Sequence, residues 1–166
     1  MPPHEGAERR PEEKYFAAGR PHPHSQGNLY VRVPFLIPSA EIAAVTVVSR
    51  DVMLVTRSCD LDNAAGLVHV APLTDLTSLN QGQVTEIKRY DCFHNVMYLP
   101  AEDGLPERLV NFGAVQVISF EALVRCTKQA ELTYLGTQQL WRKLVLHWTG
   151  AHLERPKFNP PADDFD

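Results

Sequence analysis

Four residues of the chain have the side chains of a tetrahedral zinc site, two thiols and two imidazoles: Cys59, His69, Cys92 and His94. If the chain folds back about residues 63 and 64, position 59 lies near position 68, so Cys59 and His69 come within side-chain reach across the ladder. The spacing is not that of a Cys-x₂₋₄-Cys knuckle. These four residues are therefore weak metal candidates, and the sequence predicts no metal site.

Cys59 and His69 also suit nucleophilic chemistry, as a thiolate–imidazole pair in which Asp60 or Asp62 orients the base. A free cysteine packed as a small hydrophobic residue is the more common arrangement. Both interpretations remain open at this stage.

A group of basic residues lies beside aromatic residues, the combination that binds unpaired bases and their phosphates. The basic members of this predicted nucleic-acid-binding group are Arg50, Arg57, Lys88 and Arg89, and Tyr90 and Phe93 are its aromatic members. The alternative is that these charges only solvate strand ends.

Composition limits the classes of protein. The chain has 166 residues, 44% hydrophobic, with 16 basic against 20 acidic side chains, which fits one domain with tails and disfavours a surface that binds duplex DNA throughout. Three widely spaced cysteines predict free thiols and a cytoplasmic protein. We find no apolar run long enough to span a membrane and no glycine-rich phosphate loop, so no cofactor is expected.

Proline and charge distribution predict three regions: a flexible Pro/His-rich arm at 1–28, a β-barrel domain with a C-terminal helix at 29–150, and an acidic tail at 151–166. Within the domain, short runs rich in β-branched residues predict strands, with the first an edge strand because of its prolines. The predicted strands are Leu29–Ile37, Ala43–Val48, Val52–Thr56, Leu67–Ala71, Val84–Lys88, Val96–Leu99 and a further one within Asn111–Phe120.

Near the end of the domain, the spacing of the apolar residues changes from that of a strand to that of a helix. Leu140, Trp141, Leu144, Val145 and Trp148 recur at helical spacing, which predicts an amphipathic helix over 137–148 with both tryptophans against the sheet. Many short strands and one late helix favour a small, strongly curved SH3-like β-barrel over a parallel sheet, which would need crossover helices.

One segment carries a family resemblance. Arg50 leads an apolar strand that ends in Thr56, and after a turn a second strand ends in Pro72-Leu73-Thr74. This arrangement resembles the strand–turn–strand segment of the PemK/MazF-like toxin family, and the resemblance extends over roughly residues 45–150. The family's arginine is normally followed by proline, whereas Asp51 follows here.

The resemblance implies a homodimeric barrel that binds single-stranded RNA and cuts it as an endoribonuclease without a metal, in a toxin–antitoxin setting. It makes Arg50 the cation that stabilises charge on the scissile phosphate and Thr74 a hydroxyl contact. Proton transfer then needs a further group, for which Asp60, His69 and His94 are candidates by residue type.

Two alternatives stand beside this hypothesis. The acidic net charge and the long arm suit a non-catalytic protein-interaction module of a multi-component complex, with a partner docked on the barrel or on the arm. The cysteines and histidines suit a zinc-stabilised small domain.

Overall fold

The computed structural model describes residues 14–16, 24–38, 44–61, 66–90 and 93–149. Their seven strands are β1 (Leu29–Pro38), β2 (Val45–Leu54), β3 (Leu67–Asp75), β4 (Val96–Leu99), β5 (Arg108–Asn111), β6 (Gln116–Ser119) and β7 (Thr127–Ala130). The helices are α1 (Ser58–Leu61), α2 (Gln81–Tyr90), α3 (Phe120–Val124) and α4 (Tyr134–Thr149). The prediction of a mainly β domain with a C-terminal helix is confirmed.

All strand pairs are antiparallel, in the order β4-β5-β3-β2-β1-β7. The long strand β3 pairs with three strands: β2 lies along one edge, and on the other edge its first half pairs with β6 and its last three residues pair with β5. Among the described strands, β4 and β7 end the path and do not pair with each other. The described sheet is therefore open, where the sequence predicted a closed barrel.

In the second half of β1, the edge that faces away from β2 is bonded to the side chain of Gln116 instead of to another strand. Gln116 of β6 accepts a hydrogen bond from the Leu36 amide (3.0 Å) and donates one to the Leu36 carbonyl. Both backbone groups of Leu36 thus point away from β2, and strand alternation turns Pro34 and Pro38 the same way. Proline has no N–H to offer, so this edge of β1 has little capacity to pair with a further strand.

Removing the Gln116 amide tests this link. Gln116→Ala is expected to lower the free energy of unfolding by about 1–2 kcal/mol, because both backbone groups of Leu36 lose their protein partner. Urea unfolding followed by circular dichroism measures the change. Gln129→Ala, at an exposed position of β7, is the matched control and is expected to change stability by less than about 0.5 kcal/mol.

The two predicted strands Ala43–Val48 and Val52–Thr56 are not separate, because Val45–Leu54 form one continuous strand, β2; Ala43 lies outside the described residues. The polar residues between the two predicted strands suggest a break, but the Asp51 side chain has hydrogen-bond partners within the continuous strand. Its carboxylate accepts a hydrogen bond from the Arg32 amide (3.1 Å), at a bulge of β1 where Arg32 has φ of 57°, and it pairs with Arg108. A polar side chain with such partners is compatible with the middle of a strand.

The predicted strand Val84–Lys88 is wrong, since these residues lie in α2. A reciprocal cap starts the helix: the Gln83 amide donates to Asn80 Oδ1 (2.9 Å), and the Asn80 amide donates to Gln83 Oε1 (3.2 Å). Ile87 then packs with Leu76 and Leu109 in a small cluster on the sheet. The spacing of Asn80 and Gln83 was the sequence signal for a helix.

Helix α4 is present, but the prediction that its tryptophans face the sheet is wrong. Leu140 and Leu144 are buried, whereas Trp141 is 40% exposed and Trp148 is 63% exposed. The helix starts earlier than predicted, because Thr133 Oγ1 accepts the Gly136 amide (3.2 Å). Gly150, a residue type that commonly ends a helix, lies outside the described residues.

The core lies on both faces of the sheet. One cluster joins the sheet to α4 and contains Met53, Leu73, Met97, Val110, Leu140 and Leu144. The other lies on the opposite face beside α3 and contains Tyr30, Val33, Val52, Leu54, Val70 and Leu123. The first also includes Phe16, from the described part of the predicted arm, whose amide donates to Glu102 Oε2 (3.0 Å).

Candidate functional site

Arg50 and Thr74 lie on the same face of neighbouring strands. The β2–β3 register pairs Leu54 with Val70 and Val52 with Pro72. Because successive side chains alternate between faces, the next positions outward on this face are Arg50 on β2 and Thr74 on β3. Arg50 is exposed and Thr74 is half-buried. The observed pairing of β2 with β3 ends at Val52 and Pro72, two positions before this guanidinium and this hydroxyl.

This face continues beyond Thr74 across two more strands. Thr74 pairs with Leu109 of β5, and Leu109 pairs with Tyr98 of β4, so the three side chains form one row. Lys88 of α2 holds its ammonium 5.7 Å from the centre of the Tyr98 ring. Cations from β2 and α2 thus lie on either side of Thr74, on one face of the sheet.

Glu107 holds Lys88 and Tyr98 together. Its Oε2 lies 2.6 Å from Lys88 Nζ and accepts the Tyr98 hydroxyl at 3.0 Å. These two partners, Lys88 first, lower the pKa of Glu107 below its ordinary value of 4.5. The carboxylate is thus the preferred form in the folded protein.

A lowered carboxyl pKa makes stability depend on pH. The stability that the ionised Glu107 carboxylate contributes is complete above the ordinary pKa of 4.5. It is lost as the pH falls through the lower pKa of the folded protein. We expect Glu107→Gln to reduce the fall in Tm between about pH 6 and about pH 3. Scanning calorimetry on the wild type and on Glu107→Gln measures the fall in Tm. An equal fall in the two proteins would contradict the expectation. Glu86→Gln on the exposed side of α2 serves as the control.

Behind Arg50, the opposite face of the sheet carries a charged cluster. Arg108 Nη1 lies 2.5 Å from Asp51 Oδ2, and Arg108 Nε lies 3.8 Å from Asp75 Oδ1. The Arg108 side chain is only 19% exposed. Asp51 therefore fixes β2 at the residue after Arg50, which gives the residue that departs from the family pattern a structural role.

Asp60 and Arg57 lie at the other end of the β2–β3 ladder. The Arg57 side chain donates to both carboxylate oxygens of Asp60, from Nε at 2.8 Å and from Nη2 at 3.3 Å, and this hydrogen bonding lowers the pKa of Asp60. The Arg57 guanidinium also lies 5.8 Å from the ring centre of Trp141 in α4. The structure does not bring either residue to Arg50 and Thr74.

His69 lies at that end as well. Its carbonyl accepts the Val55 amide (2.9 Å), and Val55 is five positions from Arg50, about 16 Å along an extended strand. His69 also points to the opposite face from Thr74, since the two positions differ by an odd number. The structure places this proton-transfer candidate away from the Arg50 face.

The predicted hairpin register around Cys59 is wrong. The observed ladder sets Val55 beside His69, and Cys59 lies in the short helix α1 rather than on a strand. Residues 58–61 turn into a helix and leave the ladder, so the predicted diagonal contact between Cys59 and His69 does not arise from strand pairing. Cys59 is an exposed free thiol whose Sγ lies 3.7 Å from Asp60.

The remaining predicted residues lie around α2 and the segment after it. Arg89 and Tyr90 belong to the last turn of α2, and Cys92 lies outside the described residues. His94 is exposed, with its ring centre 6.4 Å from that of His147. Within the described ranges, no three His, Cys, Asp or Glu side chains converge as a metal ion would require.

Among residues 14–16, 24–38, 44–61, 66–90 and 93–149, no helix combines the length and the apolar character needed to cross a membrane. No family model matches the chain, and no curated protein matches it. The fold is similar to a chain in the crystal structure of MazE-MazF (Form-II) from Deinococcus radiodurans, with 17% sequence identity, a TM-score of 0.48 and coverage of 79% of this chain and 100% of that chain. The Form-III structure of the same complex gives 14% identity, a TM-score of 0.45 and coverage of 75% and 94%.

Proposed function

We propose that this chain is a PemK/MazF-like protein that binds single-stranded RNA on the face carrying Arg50 and Thr74 and cuts it without a metal. The observation that supports the proposal is the β2–β3 pairing, which ends at Val52 and Pro72, two positions before Arg50 and Thr74 and on the same face. A cation and a hydroxyl on adjacent strands make a fixed cradle for one phosphate.

In this mechanism the ribose 2′-hydroxyl attacks the adjacent phosphorus, and the bond to the 5′-oxygen of the next nucleotide breaks. The products are a 2′,3′-cyclic phosphate and a 5′-hydroxyl. Negative charge accumulates on the non-bridging oxygens in the transition state, and the Arg50 guanidinium donates to them with its planar fork. The Thr74 hydroxyl donates a further hydrogen bond and fixes the phosphate against β3.

From the phosphate bound by Arg50 and Thr74, the RNA continues towards Lys88. Helix α2 covers Leu109 through Ile87, so the proposed path follows the exposed side of this helix, where the Lys88 ammonium contacts the next part of the RNA backbone. Arg89 and Tyr90 follow Lys88 in the last turn of α2. Arg57, which contacts Trp141 of α4, contributes to a different surface.

Proton transfer is assigned to water. Asp60 and His69 lie at the far end of the β2–β3 ladder from Arg50, and the hydrogen bonds from Arg57 hold Asp60 in its ionised form. His94 follows α2 and is exposed to solvent. Under this proposal Arg50 and Thr74 supply charge stabilisation and position, and a solvent molecule accepts the 2′ proton and another donates to the 5′-oxygen.

Purified protein and an unstructured, end-labelled RNA test the proposal. Cleavage is expected to proceed at the same rate in excess EDTA, with cyclic-phosphate ends on the upstream fragments. Loss of cleavage on chelation, with recovery on adding a divalent metal, would refute the metal-free mechanism. A protein that neither binds nor cuts the RNA would refute the function itself.

A second candidate is the protein-interaction module. The observation that favours it is the exposed apolar side of α4, which lies on the other face of the sheet from Arg50.

A further inference from the structure

In the part of the chain that the structure describes, the backbone pairing of β2 with β3 ends before it reaches Arg50 and Thr74. Its last pair joins Val52 to Pro72. Thr74 is held from its other side, because it pairs with Leu109 of β5. The distance between the Arg50 guanidinium and the Thr74 hydroxyl therefore depends on another contact between β2 and the β3–β5 pair.

The ion pair of Asp51 with Arg108 provides that contact. Asp51 follows Arg50 on β2, and its Oδ2 lies 2.5 Å from Arg108 Nη1. Arg108 is the first residue of β5 and pairs with Asp75, the residue after Thr74. Since β3 lies between β5 and β2, the Arg108 side chain reaches across two strand spacings of about 4.8 Å each. One guanidinium thus joins the segments that carry Arg50 and Thr74.

The ion pair is well placed to hold its geometry. The Arg108 side chain is 19% exposed and that of Asp51 is 27% exposed, so water screens this pair less than it screens a fully exposed one. The other oxygen of Asp51 accepts the Arg32 amide of β1 at 3.1 Å. Arg108 Nε also lies 3.8 Å from Asp75 Oδ1, a longer contact with an exposed carboxylate. The Asp51 carboxylate is therefore held from both neighbouring parts of the sheet.

We propose that Asp51 and Arg108 are positioning residues for RNA cleavage, and that their ion pair sets the separation of Arg50 and Thr74. This inference rests on the proposed function. Strand alternation places Asp51 and Arg108 on the face opposite the bound phosphate, so they act on the reaction only through Arg50 and Thr74. The effect is large, because a displacement of about 1 Å in a group that stabilises the transition state can cost about 10²-fold in rate.

Asp51→Asn tests the charge of this ion pair while it keeps an oxygen for the Arg32 amide. The single-turnover rate of RNA cleavage is expected to fall at least about tenfold, whereas the Kd for RNA is expected to change less than about threefold, because the groups that bind RNA remain. Glu121→Gln is the matched control, since it neutralises one member of the exposed ion pair with Arg125. It is expected to leave both quantities unchanged. An unchanged cleavage rate in Asp51→Asn would overturn the proposal.

A double-mutant cycle distinguishes positioning from a general role in the fold. In an Arg50→Ala background, Asp51→Asn is expected to change the residual cleavage rate by less than about twofold, because the group that it positions is absent. A loss of the same factor in both backgrounds would overturn the proposal. Arg108→Lys keeps the cation without its planar fork and is expected to cleave faster than Arg108→Gln. This second pair of variants decides the question if circular dichroism shows that Asp51→Asn does not fold.

A distance measurement tests the ion pair without RNA. Nitroxide labels are attached at Arg50→Cys and Thr74→Cys in a chain whose three natural cysteines are replaced by serine. Dipolar broadening in the electron paramagnetic resonance spectrum reports the distances between the labels. Asp51→Asn is expected to widen the distance distribution and Glu121→Gln to leave it unchanged. An unchanged distribution in Asp51→Asn would overturn the proposal even if RNA is cut. If the wild type cuts no RNA, the proposed function fails, and the distribution alone decides whether Asp51 sets the separation.

Discussion

Arg50→Ala is expected to lower the rate of RNA cleavage by about 10²-fold or more, the loss that follows removal of one group stabilising transition-state charge. The side chain is exposed, so its removal leaves the fold intact. Arg50→Lys keeps the charge but not the planar fork, and its rate is expected to fall between those of the wild type and the alanine variant. Single-turnover cleavage of end-labelled RNA, with protein in excess, measures the chemical step.

Arg125→Ala is the matched control for this prediction. Arg125 is a 74% exposed arginine after α3 that pairs with Glu121, so its loss removes the same charge at another site. Its cleavage rate is expected to equal that of the wild type. If Arg50→Ala cleaves as fast as Arg125→Ala, the assignment of Arg50 is wrong.

Leu140→Ala is expected to lower the free energy of unfolding by about 2–5 kcal/mol, because a fully buried leucine leaves a cavity between α4 and the sheet. Trp141→Ser, one residue further along the helix, is expected to cost less than about 1 kcal/mol, since its ring is 40% exposed. Urea unfolding of both variants compares how much the buried side and the exposed side of α4 contribute to the free energy of unfolding. Equal losses would mean that Trp141 also belongs to the core.

The α4 result illustrates what periodicity can predict. A helix near 137–148 follows from the repeat of apolar residues, and the structure has it at Tyr134–Thr149. The buried side does not follow, because two apolar stripes share the helix and hydropathy alone ranks the larger tryptophans with the leucines. Gly136 decides the matter: a Cβ there would lie 2.7 Å from the backbone oxygen of Tyr15, so this side of the helix is in close contact with the chain.

The errors in the sheet have a common physical origin, which is pairing between residues distant in sequence. Asp51 looked like a break in a strand, but Arg108, far along the chain, accommodates it. Helix α2 was taken as a strand because of its β-branched residues, although the Asn80 and Gln83 cap was readable locally. Strand β7 has no apolar run to mark it and forms by pairing with β1.

The candidate site was predictable only in part. Arg50 and Thr74 follow from the PemK/MazF-like pattern, and a hairpin prediction brings them to one face once its register is known. Asp60 and His69 were candidates by residue type alone, and the observed register and helix α1 place them away from Arg50 and Thr74. Tyr98 and Glu107 join this face only through the pairing of β3, β5 and β4, and no local pattern signals that order.

The link between Gln116 and Leu36 closes the outer half of the β1–β2 hairpin with two hydrogen bonds from one amide side chain. On this half, Leu36, Val45 and Val47 are exposed, whereas Phe35 is buried in the cluster that contains Val52 and Leu54. Separation of this end of the hairpin would therefore bring Phe35 into water, which costs about 1.5–3 kcal/mol for a large apolar side chain. The Gln116 amide and the Phe35 ring thus anchor the distal end of the strand that carries Arg50.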